Sequence, residues 1–219
     1  MSDSLATASF IVLSGGFQDA YTYCCRGKVF ANAQTGNIVL MSANLLSGEA
    51  AHSVRYLVPL ISFLIGIMAA EVIHCRFKNY EKIHWRQMIL AVEIALLFGV
   101  GFLPQSVNSL ANALVSFVCA LQVQSFHKVH GCVYASTMCI GNMRSGAEAL
   151  VAYFRGGEKE ALQKALMYFA VILVFAVGAG FGSIATVHLG EHAIWISCVL
   201  LIISFIMMFR KEHKPQVLA

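Results

Sequence analysis

The stretch Val29–Asn44, VFANAQTGNIVLMSAN, decides the fold. It is apolar at both ends, and its middle carries a cluster of polar and small residues: Asn32, Gln34, Thr35, Gly36 and Asn37. Apolar segments flank it on both sides, so we expect it to lie at membrane depth. Polar backbone that contains glycine is tolerated there only where protein or a water-filled cavity surrounds it. The stretch is therefore predicted to be a broken or re-entrant helix that lines a solute path.

The composition indicates an all-α integral membrane protein. Of 219 residues, 58% are hydrophobic and 12% are charged, and the mean hydropathy is +0.72. Soluble domains carry about 25% charged residues. The net charge of +4 arises from basic residues in short loops, which predicts a lipid bilayer and no nucleic acid as partner. The seven cysteines are scattered without a CxxC pair, so we expect neither a disulfide framework nor a metal site.

Eight apolar segments follow one another along the chain. Most of them approach the roughly 20 residues that a helical membrane crossing needs. Their predicted ranges are Leu5–Tyr23, Val29–Asn44, Tyr56–His74, Gln87–Leu103, Ser109–Phe126, Cys132–Phe154, Ala165–Val187 and Ala193–Phe209. The second and the sixth segment are the ones with polar residues and glycine in their middle.

The two halves of the chain resemble each other. Matching residues lie 104 positions apart at first, 105 apart after one inserted residue, and 112 apart further on. The matched pairs are Gln18 with Gln122, Ala31 with Ala135, Gly36-Asn37 with Gly141-Asn142, and Gly66 with Gly178. The sequence therefore predicts one transmembrane domain made of two repeats, residues 1–104 and 105–219.

The distribution of lysine and arginine then favours one topology. If all eight segments cross, these residues divide seven to seven between the two sides of the membrane. If the second and sixth segments enter and return on one side, eleven lie inside and three outside, with Arg144 left out. Cytoplasmic loops carry the excess of positive charge, so we predict six crossings and a cytoplasmic C-terminus. Each repeat then has three crossings and one re-entrant helix, which makes the repeats inverted, as in many transporters and channels.

Two motifs carry a resemblance to a known family. The sequence GGFQDAYTY (Gly15–Tyr23), followed by FANAQTGN (Phe30–Asn37), resembles the YoaK-like family of bacterial membrane proteins, which is catalogued as a domain of unknown function. The resemblance covers nearly the whole chain. It implies a multi-pass protein of the inner membrane with six transmembrane helices, in agreement with the charge distribution. It implies no substrate and no catalytic residues.

Asn37 and Asn142 are the first candidates for a binding site. Each follows a glycine and precedes an apolar run, as a helix N-cap does. Two half-helices that begin there would direct free N–H groups and positive dipole ends toward the membrane centre. Together with Gly36 and Gly141, they are predicted to bind an anion or a polar neutral solute. The alternative is that glycine and asparagine only cap a helix break that is packed against protein.

Three charged residues within apolar segments are further candidates. An arginine at mid-membrane costs at least about 2.5–3.5 kcal/mol, so Arg144 is predicted to face a cavity and hold an anion. Alternatively, it pairs with Asp19 or extends to the interface. Asp19 and Glu93 are candidates for proton coupling. The other possibilities are an acid near the outer surface for Asp19 and one near the inner surface for Glu93.

These residues together predict a function. Gln18 and Gln122 are expected to line the path with Asn32, Gln34 and Thr35, or else to form interhelical hydrogen bonds. We predict a transporter or channel for a small polar or anionic solute, without cofactor, metal or enzymatic activity, possibly as a homo-oligomer. The competing prediction is a non-transporting accessory or signalling module whose polar core is sealed.

Overall fold

The computed structural model describes residues 5–78, 85–129 and 132–210 of the protein. Residues 1–4, 79–84, 130–131 and 211–219 lie outside this description. The helices are α1 (Leu5–Cys25), α2 (Gln34–Leu46), α3 (Ala50–Phe77), α4 (Trp85–Val100), α5 (Asn108–Ser125), α6 (Cys139–Gly156), α7 (Lys159–Leu189) and α8 (Ile194–Arg210). Two short strands, β1 (Lys128–Val129) and β2 (Cys132–Val133), pair antiparallel between α5 and α6.

The helix lengths confirm an all-α membrane protein. Three stretches are long and apolar enough to cross a membrane, namely Ala50–Phe77, Gln105–Ser125 and Lys159–Met208. By contrast, α2 has 13 residues, or about 20 Å at 1.5 Å per residue. A bilayer core is about 30 Å thick, so α2 is too short to span it upright.

The second segment is broken as predicted, but the irregular backbone lies before Gln34, so most of the polar cluster belongs to the first turn of α2. After α1 the chain turns at Gly27 and Lys28, which have φ angles of 84° and 61°. This left-handed backbone ends a helix, and glycine adopts it without steric cost. Residues 26–33 then run without helix until α2 begins at Gln34.

The second break lies earlier than the sequence indicated. The prediction placed it around Gly141–Arg144, but α6 has already begun at Cys139. The irregular backbone is instead at residues 134–138, directly after the short hairpin. The glycine and the polar residues in this segment therefore belong to the first turns of a helix and do not interrupt one.

The first helix of each half packs mainly against the other half. α1 packs against α7 and α8, whereas α5 packs against α3 and α4. α2 lies on α3 and α6 lies on α7, in each case the helix that follows along the chain. The same set of helix pairs therefore occurs twice, and α4 contacts its counterpart α8 directly.

One close backbone contact is repeated at the two main helix crossings. A Cβ atom added to Gly178 on α7 would overlap the carbonyl oxygen of Leu13 on α1. A Cβ added to Gly66 on α3 would overlap the carbonyl oxygen of Phe117 on α5. Gly66 and Gly178 are a matched pair in the sequence, and Leu13 and Phe117 are also 104 positions apart. Small residues allow the helix backbones to approach this closely in a membrane.

We expect Gly178→Ala to lower the free energy of unfolding by about 1–3 kcal/mol or more, because the methyl group would force α1 and α7 apart. Gly180→Ala on the same helix is the matched control, since a Cβ there would meet nothing within 4 Å. The control should stay within about 0.5 kcal/mol of the parent protein. Equilibrium unfolding in mixed micelles measures both, and equal losses would contradict the close crossing.

Candidate functional site

Asn37 and Asn142 make the same pair of hydrogen bonds. Asn37 Oδ1 accepts the N–H of Phe30 at 3.1 Å, and Asn37 Nδ2 donates to the carbonyl of Phe30 at 2.7 Å. Asn142 holds both backbone groups of Ala135 in the same way, at 3.1 and 2.7 Å. Both asparagines are buried. Each of these asparagine clamps therefore ties a broken segment to the first turn of its half-helix.

The prediction that these asparagines are N-caps is wrong. The N-cap positions are Ala33 and Met138, so each asparagine is the fourth residue of its helix. An asparagine side chain carries both an acceptor and two donors, which lets it hold both backbone groups of one residue. Because Asn37 holds Phe30 and Asn142 holds Ala135, Phe30 and Ala135 are equivalent positions of the two repeats. The residue inserted in the second repeat therefore lies before Ala135.

Asp19 lies where both half-helices begin. Its Oδ1 accepts the backbone N–H of Asn32 at 2.8 Å, and the backbone amide of Ala33 also bonds to the carboxylate. Cys139, the first residue of α6, is close enough to Asp19 to interact with its charge. Helix N-termini carry partial positive charge and favour an anion. The carboxylate of Asp19 therefore lies in the first break, just before the positive end of α2.

Gln18 joins three helices in the core. Its Nε2 donates to the hydroxyls of Ser14 at 2.9 Å and Ser197 at 3.0 Å, and its Oε1 accepts from the thiol of Cys119 at 2.9 Å. All four side chains are buried. Cys119 is also close enough to interact with the charges of Asp19 and Glu93. The predicted residues Gln18, Asp19 and Glu93 are thus brought into one buried polar region.

Both broken segments reach α1 at Gly15. Asn32 Nδ2, from the first break, donates to the Gly15 carbonyl at 3.1 Å. A Cβ added to Gly15 would lie 2.7 Å from Thr137 Cγ2, in the second break, and 3.3 Å from Gln122 Nε2 on α5. The two breaks and α5 therefore meet at one point, and a side chain at position 15 would collide with them.

Several buried oxygen atoms around this point accept no hydrogen bond within the described part of the chain. Their residues are at most 6% exposed. They are Asn32 Oδ1, Gln122 Oε1, Ser136 Oγ and Thr137 Oγ1, which we call the acceptor cluster; both carboxyl oxygens of Glu93, on α4, also lack a partner in the described part of the chain. Buried polar atoms in proteins are nearly always hydrogen-bonded to protein, water or a ligand. The acceptor cluster therefore has unused hydrogen-bonding capacity, and its two hydroxyl groups can donate as well as accept.

Other predicted site residues lie apart from this cluster. Gln34 donates to the Ala31 carbonyl at 2.7 Å and accepts from the clamp residue Asn37, so it supports the helix start. Thr35 is exposed, and Gly36 contacts the ring of Phe30. These positions shape the break without reaching the acceptor cluster.

On α6, Gly141 and Arg144 are exposed. The Arg144 guanidinium is 81% exposed and bonds to Glu148 at 2.9 Å, one helical turn further on. It pairs with neither Asp19 nor an acceptor-cluster residue. Arg144, which was predicted to hold an anion, therefore pairs with Glu148 on the surface of α6.

Sequence reasoning missed Cys119, Ser136, Thr137 and Ser197. Ser136 and Thr137 could have been found from the repeat, because they precede Gly141-Asn142 much as Asn32 precedes Gly36-Asn37. Ser197 and Cys119 stand in apolar helices without any distinguishing pattern. Their roles depend on which helices pack together.

Arg26 is a buried cation that the sequence had assigned to an outer loop. Its guanidinium donates to the Tyr21 hydroxyl at 2.8 Å, to Asn108 Oδ1 at 3.1 Å and to the Val100 carbonyl at 3.1 Å. Asn112 Nδ2 donates to the Arg26 carbonyl at 2.8 Å. Arg26 therefore joins the end of α1 to the end of α4 and the start of α5, and its donors are used within the protein.

A cavity of about 410 Å³ lies elsewhere, at the first residues of α1 and α7. It is lined by Leu5, Cys132, Glu160, Gln163, Lys164 and Met167. None of these belongs to the acceptor cluster. Within the described residues, no three or more histidine, cysteine, aspartate and glutamate side chains are grouped so that they could hold a metal ion.

Comparisons with known proteins agree with the resemblance found in the sequence. The family described as "Protein of unknown function (DUF1275)" matches residues 7–207. The chain is 24% identical over 202 residues to the UPF0700 transmembrane protein YoaK of Bacillus subtilis (strain 168), and the match covers 88% of each chain. No solved structure matches the chain.

Proposed function

Because the chain belongs to the DUF1275 family and is similar to a transmembrane protein, we propose that it moves a small polar solute across a bacterial inner membrane. The observation that carries the proposal is the acceptor cluster. Its buried oxygen atoms come from α5 and both broken segments, so they lie where the two halves of the chain meet. We do not propose that this chain catalyses a reaction.

The proposal includes a topology of six crossings, by α1, α3, α4, α5, α7 and α8. Its support is the shortness of α2, the irregular backbone before α2 and α6, and the excess of lysine and arginine on one side. The two repeats are then inverted, and the C-terminus is cytoplasmic. The twofold occurrence of helix pairs, glycine crossings and asparagine clamps supports related halves.

The arrangement suits passage because discontinuous helices meet in its interior. In many transporters the substrate site lies near the midplane, between repeats, at the ends of broken helices. Here the two breaks converge on Gly15, next to Gln122 and Thr137. Rocking of the group α1, α7 and α8 against the group α3, α4 and α5 would open the acceptor cluster first to one side and then to the other.

A polar solute fits better than an anion. Asp19 lies just before the positive end of α2, and Arg144 lies on the exposed face of α6. Glu93 adds a second carboxyl to the buried region. An additional anion would meet acceptor oxygens and carboxyl groups, which repel it.

One observation favours the second candidate, a module that does not transport. The residues of the acceptor cluster are at most 6% exposed, so the structure has a closed polar core. A sealed accessory or signalling protein needs a closed core at all times, whereas a carrier has one only in its occluded state. Only a measurement of passage separates these two functions.

We expect proteoliposomes that contain the full chain to take up at least one labelled probe faster than empty liposomes. The probes are glycerol, ethanolamine, sodium and acetate, which represent a neutral solute, an amine, an alkali ion and an anion. Gln122→Leu should lower that uptake at least tenfold, because it removes a buried acceptor and the bond from Gln122 to the Ile11 carbonyl.

Arg144→Gln is the control in the same assay, and it should leave uptake unchanged since its side chain is exposed. If no probe enters faster than into empty liposomes, the transport proposal fails and the sealed module is favoured. If acetate is the probe that enters and Arg144→Gln slows it, the preference for a non-anionic solute is wrong.

A further inference from the structure

Arg26 ties the two packing groups, α1 with α7 and α8 and α3 with α4 and α5, to each other at one end of the bundle. Its guanidinium bonds to the Asn108 side chain at the start of α5 and to the Val100 carbonyl at the end of α4. The Tyr21 hydroxyl accepts from Arg26 Nε at 2.8 Å and donates to the Glu191 carbonyl, between α7 and α8, at 3.0 Å. We call Arg26, Tyr21 and Asn108 the arginine latch.

The latch holds a buried positive charge with neutral partners. Arg26 is completely buried, and no salt bridge in the described part of the chain involves it. Its three acceptors are a hydroxyl, an amide oxygen and a backbone carbonyl. Taking a guanidinium out of water is costly, and neutral acceptors offset this cost less fully than a carboxylate does. A link of this kind is therefore easier to break than a buried ion pair.

A buried polar stripe runs along α5 from the latch into the core. It consists of Asn112, Ser116, Cys119 and Gln122, which are spaced four, three and three residues apart and so share one face of the helix. All four are at most 2% exposed. At 1.5 Å per residue the stripe is about 15 Å long. Its first residue, Asn112, donates to the Arg26 carbonyl at 2.8 Å, and its last, Gln122, belongs to the acceptor cluster.

Two residues of this stripe next to the latch have unused hydrogen-bonding capacity. Asn112 Oδ1 and Ser116 Oγ are buried and have no partner within the described residues. Unpaired buried polar groups cost free energy, so a helix contact that never opens would be more stable with apolar residues at these positions. Water that entered past an open latch would give both atoms partners.

We infer that the arginine latch is a gate, and that its opening lets water reach the polar stripe of α5. The inference rests on the proposed function, because a gate serves the passage of a solute. Rocking of one packing group against the other requires that the links between them at one end break. The latch is such a link, and the structure is the state in which this end of the bundle is closed.

The reactivity of the Cys119 thiol tests the gate. Cys119 is completely buried and lies seven residues after Asn112, or about 10 Å further into the core. Arg26→Gln should raise the rate at which a water-soluble maleimide modifies Cys119 by at least about tenfold, because loss of the charged hydrogen bonds shifts the equilibrium toward the open form. The full chain is labelled in detergent, and the modified cysteine is identified by mass spectrometry of its peptides.

Arg55→Gln is the matched control. Like Arg26 with Tyr21, Arg55 bonds to the hydroxyl of Tyr56 and lies over its ring, but Arg55 is exposed. Cys119 should keep the parent rate in this variant. If Arg26→Gln does not fold, Asn108→Leu provides the test. It removes one latch bond and leaves Arg26 with the others, so the rate should rise about three- to tenfold.

A second thiol separates opening of the latch from loosening of the whole bundle. Ala70 is completely buried in a cluster with Trp85, Ile89 and Leu121, all within the group α3, α4 and α5. In an Ala70→Cys background, opening of the latch should accelerate modification of Cys119 but not of the introduced thiol. Equal acceleration at both positions would indicate partial unfolding and would refute the gate.

The outcomes separate the gate from the proposed function. If Cys119 reacts no faster in Arg26→Gln and Asn108→Leu than in the parent protein, the gate is refuted, even where a labelled probe crosses the membrane. If Cys119 alone becomes reactive but no probe crosses, the opening at the latch stands and the transport proposal fails.

Discussion

Asn37→Leu and Asn142→Leu are each expected to lower the free energy of unfolding by about 2–6 kcal/mol. Leucine removes both partners of one backbone residue, Phe30 or Ala135. Each buried backbone group left without a partner costs about 1–3 kcal/mol. The clamped segment would lose its fixed position against the half-helix, and the loss should be similar in the two halves.

Two further variants are measured for comparison with Asn37→Leu. Asn37→Asp keeps the acceptor for the Phe30 N–H but loses the donor to its carbonyl, so its loss should be intermediate. Asn44→Leu, on the same helix, removes a bond to the Leu40 carbonyl one turn earlier, and it should change stability by less than about 1 kcal/mol. Unfolding in mixed micelles is the measurement. Should Asn142→Leu cost less than half as much as Asn37→Leu, the clamps are not equivalent.

Asp19→Asn is expected to cost about 2–4 kcal/mol, although it changes only one atom of the side chain. The carboxylate accepts a charge-assisted hydrogen bond from the Asn32 backbone, just before the beginning of α2. Hydrogen bonds to charged groups contribute about 1.5–3 kcal/mol, and a charge at a helix end adds up to about 2 kcal/mol. The asparagine amide would also turn a donor toward backbone donors.

Glu148→Gln is the matched control for Asp19→Asn. Glu148 is an acid on α6 that is 64% exposed, and its exposed pair with Arg144 contributes at most about 1 kcal/mol. The two variants are compared by unfolding in the same micelles. If Asp19→Asn is as stable as the parent protein, α2 does not depend on a buried anion before its start.

Much of the architecture was predictable because its causes are local. The polar stretch Val29–Asn44 predicted broken backbone, and residues 26–33 are irregular. Glycine spacing predicted Gly66 and Gly178 as a pair, and both lie at close helix crossings. Such features follow from backbone chemistry and from the period of a helix, which a sequence displays directly.

The sequence identified some residues of the site but not the contacts that they make. Asn37 was identified, but the residue it would hold was hidden, because that partner lies seven positions back across a break. The apolar neighbours of Arg144 led to the prediction that it lies in the membrane interior. Glu148, four residues later on the same helix, was the sequence signal that Arg144 forms an exposed ion pair. The link from Gln18 to Ser197 depends on tertiary packing alone.

The exchange of partners between the two halves has a consequence for the protein's origin. α1 is covered by α7 and α8, and α5 by α3 and α4, so half a chain would leave the face of its own first helix bare. A half-length ancestor would therefore have needed a second subunit, which makes gene duplication and fusion of a former dimer the simplest history. If six helices cross the membrane, the two subunits of that dimer would have been inserted in opposite orientations. The two halves of the fused chain would then keep these opposite orientations.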